Sequence, residues 1–110
     1  MQHLSSEMHV CVEQCLRCHS TCLDMAMNHY LEAGGKHVAP YHSKLMMACA
    51  EMCQTSANMM LIGTQHHERI CRECAEICEE CAKSCEQVGV IDDCVAQCRR
   101  CAESCRKIAA

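Results

Sequence analysis

Residues 71–85 read CRECAEICEECAKSC, five cysteines in fifteen residues at steps of 3, 4, 3 and 4. Thiolate is the soft ligand that holds Cu(I), Zn(II) and iron–sulfur clusters, so its spacing decides which chemistry is on offer. Alternating steps of three and four return a side chain to one face of a helix. The segment contains no Gly or Pro, and the residues between the cysteines are nearly all good helix formers. Cys71, Cys74, Cys78, Cys81 and Cys85 therefore form a stripe along a helix, rather than a knuckle or a loop framework. The rhythm recurs in Cys11, Cys15, Cys18 and Cys22, and again in Cys94, Cys98, Cys101 and Cys105. Cys49 and Cys53 supply one shorter step and complete the fifteen cysteines of the chain.

The elements that must carry these stripes follow from the punctuation. The same phase runs through Met8, Met25 and His29 around the first set, and through His42, Met46, Ser56 and Met60 around Cys49 and Cys53. Gly34-Gly35 ends the first helix, and Pro40 suits the start of the second. Gly63-Thr64 reads as a C-terminal glycine followed by an N-cap, Gly89 closes the third helix, and Asp92 and Asp93 favour the positive end of a fourth. Helices are expected at about 4–32, 39–62, 65–87 and 91–108. Short connections make neighbours antiparallel. The fold expected is all-α, an antiparallel four-helix bundle with a cysteine-lined core, forming a single domain over residues 1–110. Val12, Leu16, Leu23, Ile70, Ile77 and Val95 flank the stripes and are expected to seal helix seams or to meet another copy.

The composition agrees with a thiol core. Six Leu, five Ile and six Val, with no Phe or Trp, make a small apolar complement, and 15 Cys and 9 Met take its place. Free cysteine behaves as a small hydrophobe, yet leucine would stabilise a core by roughly 1–3 kcal/mol more per buried side chain. A choice that sacrifices stability points to chemistry. The net charge of −4 and only two aromatic residues, both Tyr, offer no basic patch and no stacking platform, which speaks against nucleic acid. The N-terminus lacks a basic start followed by an apolar run, and no stretch approaches the ~20 apolar residues of a membrane span. The reading is a cytoplasmic protein without membrane contact, whose cysteines stay reduced.

Among thiol chemistries, intrahelical disulfides are discouraged, because residues three or four apart hold their Cβ atoms ~5–6 Å apart where a disulfide needs ~3.8 Å. Structural zinc takes four ligands in a closed tetrahedron, commonly wrapped by a turn, and bacterial ferredoxin spacing ends in a Cys-Pro on a loop. Cu(I) accepts few ligands and prefers thiolate and thioether, so a ladder of sulfurs, each bridging two ions, can fill with copper. An iron–sulfur or zinc protein and a copper chaperone remain the alternatives, although a chaperone needs only one or two exposed thiols. No nucleophile has a partnered base, and catalysis is not expected.

The segments CVEQCLRCHSTC, CAEMC, CRECAEICEECAKSC and CVAQCRRCAESC resemble the copper storage proteins, a family of cysteine-rich four-helix bundles once known only as a domain of unknown function. The resemblance is to the cytosolic branch. It implies a homotetramer of bundles, each holding many Cu(I) ions on the fifteen core thiolates, with Met and His near an open mouth. In an antiparallel bundle, Met25, His29, His42 and Met46 gather at one end beside Asp92 and Cys94, and these four are read as weaker copper ligands. Met8, Met60 and His66 or His67 gather at the other end. His3, His9, His19 and His37 are expected on the surface, as are Glu73, Glu76, Glu80 and Lys83.

Overall fold

In the computed structural model, which describes residues 4–89 and 93–109, Ser5 begins the first helix by accepting the Met8 N–H on its Oγ at 3.1 Å. This helix, α1, runs Ser6–Asp24, widens into a π-helical turn at Met25–Tyr30 and finishes with Leu31–Ala33. A 3-10 turn at Gly35–Val38 leads into α2, Pro40–Ile62, with Pro40 in the first turn where its missing N–H costs nothing. Gly63 closes α2 at φ 80°, a left-handed position that suits glycine, and its N–H reaches the carbonyls of Met59 and Met60. α3 spans His67–Gln87 and α4 spans Asp93–Ala109.

The start of α3 differs from expectation. Thr64 does not cap α3 directly but holds the turn ahead of it. Its Oγ1 accepts the His66 N–H, and its carbonyl accepts the His67 N–H, both at 3.3 Å. The helix consequently starts two residues later than the expected 65. The expected opening of the fourth helix at residues 91 and 92, including Asp92, lies outside the described residues, as does His3.

Each helix packs against its neighbours in sequence, and α4 closes the ring against α1. The sulfur pairs give the direction. Cys11 and Cys15 meet Cys105 while Cys22 meets Cys94, and Cys49 meets Cys78 while Cys53 meets Cys74, so both helix pairs are antiparallel. The result is a rod of 50 × 20 × 19 Å. Its seams are narrow because Ala50, Ala57, Ala75, Ala82 and Ala102 are buried beside the thiols. Of the expected seam residues, Val12 is buried and Leu23, Ile70, Ile77 and Val95 are half-buried, whereas Leu16 is exposed. Glu73, Glu76, Glu80 and Lys83 lie on the solvent face as expected. On that side Arg99 pairs with Glu79 and Glu86, and Arg106 with Glu79 at 3.4 Å. Exposed pairs of this kind contribute at most about 1 kcal/mol each. No helix among the described residues is long and apolar enough to cross a membrane.

Nothing in this core waits for an ion before the helices can form. Their backbone bonds are internal, and protonated thiols pack as small apolar groups. Reduced, metal-free protein should therefore give a strongly helical far-UV circular dichroism spectrum that changes little on metal addition. A transition from coil to helix on loading, as in a zinc finger, would show that the ion builds the bundle.

Candidate metal centre

All fifteen cysteines are thiols and not disulfides, and each is 0% exposed. Their sulfurs contact one another across the helices at hydrogen-bonding range for sulfur, for example Cys22 to Cys98 at 3.5 Å, Cys15 to Cys105 at 3.6 Å and Cys53 to Cys78 at 3.6 Å. They also fall into overlapping groups of four with all sulfurs within 4.8 Å of one another. The group of Cys15, Cys74, Cys101 and Cys105 shares Cys74 and Cys101 with the next, which adds Cys53 and Cys78. That second group shares Cys53 and Cys78 with a third containing Cys18 and Cys49. The third shares Cys18 and Cys49 with a fourth containing Cys22 and Cys98, and the fourth shares those two with a fifth containing Cys81 and Cys94. Two shared sulfurs at every step turn four separate stripes into one continuous column.

Hydrogen bonds among the thiols set their acidity. Bonding to Cys18 and Cys49, reinforced by burial, holds the Cys22 thiol well above the ordinary range. Bonds from Cys18 and Cys22 hold Cys49 below it. Cys71, at the edge of the network, is pushed up to about 12 by Cys11 and by burial, against a lowering hydrogen bond from Cys105 that is its largest single influence. A cation that binds here takes the place of thiol protons.

The second helix fills its stripe without interruption. His42, Met46, Cys49, Cys53, Ser56 and Met60 are all buried. Met46 belongs to the column itself, because its Sδ accepts the Cys81 thiol at 3.3 Å and the Cys85 thiol at 3.6 Å. His42 is 2% exposed, with Nδ1 at 2.6 Å from Ser84 Oγ and Nε2 buried without a hydrogen-bond partner. Burial lowers its pKa, so the ring is neutral at pH 7. If Nδ1–H donates to Ser84, the Nε2 lone pair is left for a metal, the arrangement usual in histidine ligands.

His29 departs from the expected phase. It is exposed, and Tyr30 takes the inward position that the phase assigned to it. The π-helical turn at Met25–Tyr30 inserts one residue, so the stripe proceeds from Cys22 to Ala26 and Tyr30. Asn28 donates to both the carbonyl and the carboxylate of Asp24, a side-chain bond into the helix ladder of the kind that accompanies such turns. Tyr30 donates its hydroxyl to Cys85 Sγ at 3.5 Å, and its ring lies 5.2 Å from His42 and 5.5 Å from His37. Sequence reasoning missed Tyr30 because helical periodicity presumes an uninterrupted α-helix, and it missed Ser84 because that residue lies beside the thiol stripe of α3 and not on it. Met25 is half-buried against the core.

At the opposite end Met60 is buried, Met8 and His67 are half-buried, and His66 is exposed. His67 Nδ1 is engaged by the Thr64 carbonyl at 2.7 Å. His9 is exposed as expected, and His37 is half-buried. His19, also expected on the surface, is half-buried, with Nδ1 on the Ala50 carbonyl at 2.8 Å, tying α1 to α2.

A closed four-helix bundle with a continuous column of thiols defines a multi-ion binding protein for soft metals. The family model described as copper storage protein matches residues 2–110, and the chain belongs to that family. A crystal structure of a protein from Nitrosospira multiformis is similar with 56% identity over 94% of both chains and a TM-score of 0.91. The Cu(I)-bound copper storage protein BsCsp3 is 29% identical, covers 96% of this chain and 100% of its own, and superposes with a TM-score of 0.84. Apo-Csp3 from Bacillus subtilis is 28% identical over 93% of this chain and 98% of its own, with a TM-score of 0.74. The search of curated proteins found no match.

Proposed function

We propose that the protein stores Cu(I) on the fifteen thiolates of its core, as a single-domain cytosolic buffer that keeps free copper low. The column of sulfur groups, each sharing two members with the next, carries this reading. It lets the eight shared thiolates bridge neighbouring ions, and the Cu(I)-bound state of a relative supports the choice of metal. Each univalent ion replaces one thiol proton, so the core fills without accumulating charge. Met46 joins the thiolates as a thioether ligand, His42 Nε2 waits at the mouth, and Met25 stands at its rim. His29 keeps no inward role. Family membership supports a role in storage rather than catalysis, and assembly as a homotetramer is part of the same proposal, to be read by sedimentation. Anaerobic loading of reduced protein tests the whole. A colourless product with many Cu(I) ions supports it, and visible absorption on reconstitution with iron and sulfide would favour the iron–sulfur alternative.

Ser56 makes a finer test. It sits in the stripe of α2, 0% exposed, and its Oγ has no hydrogen-bond partner. A buried unpaired hydroxyl costs about 1–3 kcal/mol. Ser56→Cys should raise thermal stability of the reduced protein and add about one Cu(I) to its capacity. An unchanged count, by chelator competition, would place position 56 outside the ladder.

A further inference from the structure

Five of the overlapping sulfur groups contain a second pattern. Taking every other group leaves three that share no sulfur. One is Cys15, Cys74, Cys101 and Cys105, the next is Cys18, Cys49, Cys53 and Cys78, and the last is Cys22, Cys81, Cys94 and Cys98. We propose that, in the reduced bundle, these are three tetrahedral four-thiolate sites for a divalent d10 cation of the Zn(II) class. The inference rests on the reading that the core thiols bind metal, and concerns a different ion held in a different way.

Geometry carries it. With Zn–S near 2.3 Å, the edge of a regular ZnS4 tetrahedron is about 3.8 Å. Within the first group, Cys15 lies 3.6 Å from Cys105 and 3.7 Å from Cys101. In the second, Cys78 lies 3.8 Å from Cys49 and 3.6 Å from Cys53. In the third, Cys22 lies 3.7 Å from Cys94 and 3.5 Å from Cys98. These edges match that length to within a few tenths of an ångström, and the others lie within 4.8 Å. Twelve cysteines are used, and Cys11, Cys71 and Cys85 remain, too few for a fourth site.

The charge balance differs from that of copper. Each site forms as Zn2+ + 4 Cys–SH → [Zn(S-Cys)4]2− + 4 H+, with no change of oxidation state. Cu(I) exchanged for one proton per thiol leaves the core neutral, whereas each zinc site buries two negative charges. Among the described residues the buried polar groups are His42, Ser56, Ser84 and Gln97, none of them a cation. Buried charge without a partner is costly, so Zn(II) is the weaker occupant and Cu(I) displaces it. The same core thus holds a divalent ion exchangeably and discriminates for a univalent one by charge.

The test is anaerobic titration of the reduced full chain with Zn(II) against a chromophoric chelator, and with Cd(II) read by its thiolate charge-transfer absorption. Saturation at three ions per chain is expected, with equal Cd(II) absorption per ion up to that point, and added Cu(I) should release all three. Replacing Cys11, Cys71 and Cys85 with Ser should leave three Zn(II) while lowering Cu(I) capacity by about three. Cys53→Ser should leave two Zn(II), because Cys53 belongs to the middle site. Saturation at none or one, or a Zn(II) count that falls along with Cu(I) in the triple variant, would overturn the proposal. If a variant does not fold, the parent's Cd(II) count and absorption per ion decide. Failure with Zn(II) beside full Cu(I) loading sinks this inference alone, while failure of Cu(I) loading sinks the storage reading.

Discussion

Reduced protein titrated anaerobically with Cu(I) in competition with a chelator should saturate at roughly 15 ions per chain, about one per thiolate. The arithmetic is that of bridging. If two thiolates hold each ion and each thiolate serves two ions, ions and thiolates are equal in number. The shared pairs Cys74–Cys101, Cys53–Cys78, Cys18–Cys49 and Cys22–Cys98 provide the bridges at every level of the column. Met46 and His42 could raise the total by one or two. Saturation at one to four ions would replace storage with a structural or delivery site. Loading should also cross-link all four helices and raise the midpoint of thermal unfolding, since an ion bound only by the folded state stabilises it by mass action.

The second large effect should be kinetic. His42→Phe combined with Met46→Leu removes an imidazole and a thioether while keeping a ring at one position and near-equal volume at the other, so a folded protein is expected. A Met-to-Leu exchange usually costs under about 1.5 kcal/mol, whereas Met46→Ala would cost about 2–5 kcal/mol through the cavity left beside Cys81 and Cys85. The double variant should keep its final Cu(I) count within about two ions of the parent. Its exchange of Cu(I) with a chelator should slow by roughly tenfold, a barrier change of about 1.4 kcal/mol. His42 Nε2 has no hydrogen-bond partner and lies one helical turn outside Met46, which is level with Cys81 and Cys85, so an ion entering at this end would meet the imidazole first and the thioether together with the first thiolates. Unchanged rates in stopped-flow exchange would mean that copper enters near Met8, Met60 and His67. A collapsed capacity would make His42 and Met46 essential members of the store.

Much of this protein was legible in residue spacing. Steps of three and four among cysteines on all four helices put the thiols on inward faces, because helical periodicity is local and needs no partner. Glycines and Pro40 then marked the turns, and short turns leave antiparallel neighbours as the simplest packing. The stripe of α2 from His42 to Met60 came through intact for the same reason. Other features depended on the assembled helices. His29 lost its inward place to Tyr30 because one π-helical turn shifts every later residue by one, and periodicity carries no sign of such an insertion. His19 reached the Ala50 carbonyl only because alanines draw α1 and α2 close. Met46 became part of the column when α3 brought Cys81 and Cys85 to its sulfur. Spacing along a chain ranks side chains by face, but which sulfurs stand within one ion's reach is a matter of distance across helices. That distance is set by the small residues in the seams and by the register in which the rods settle.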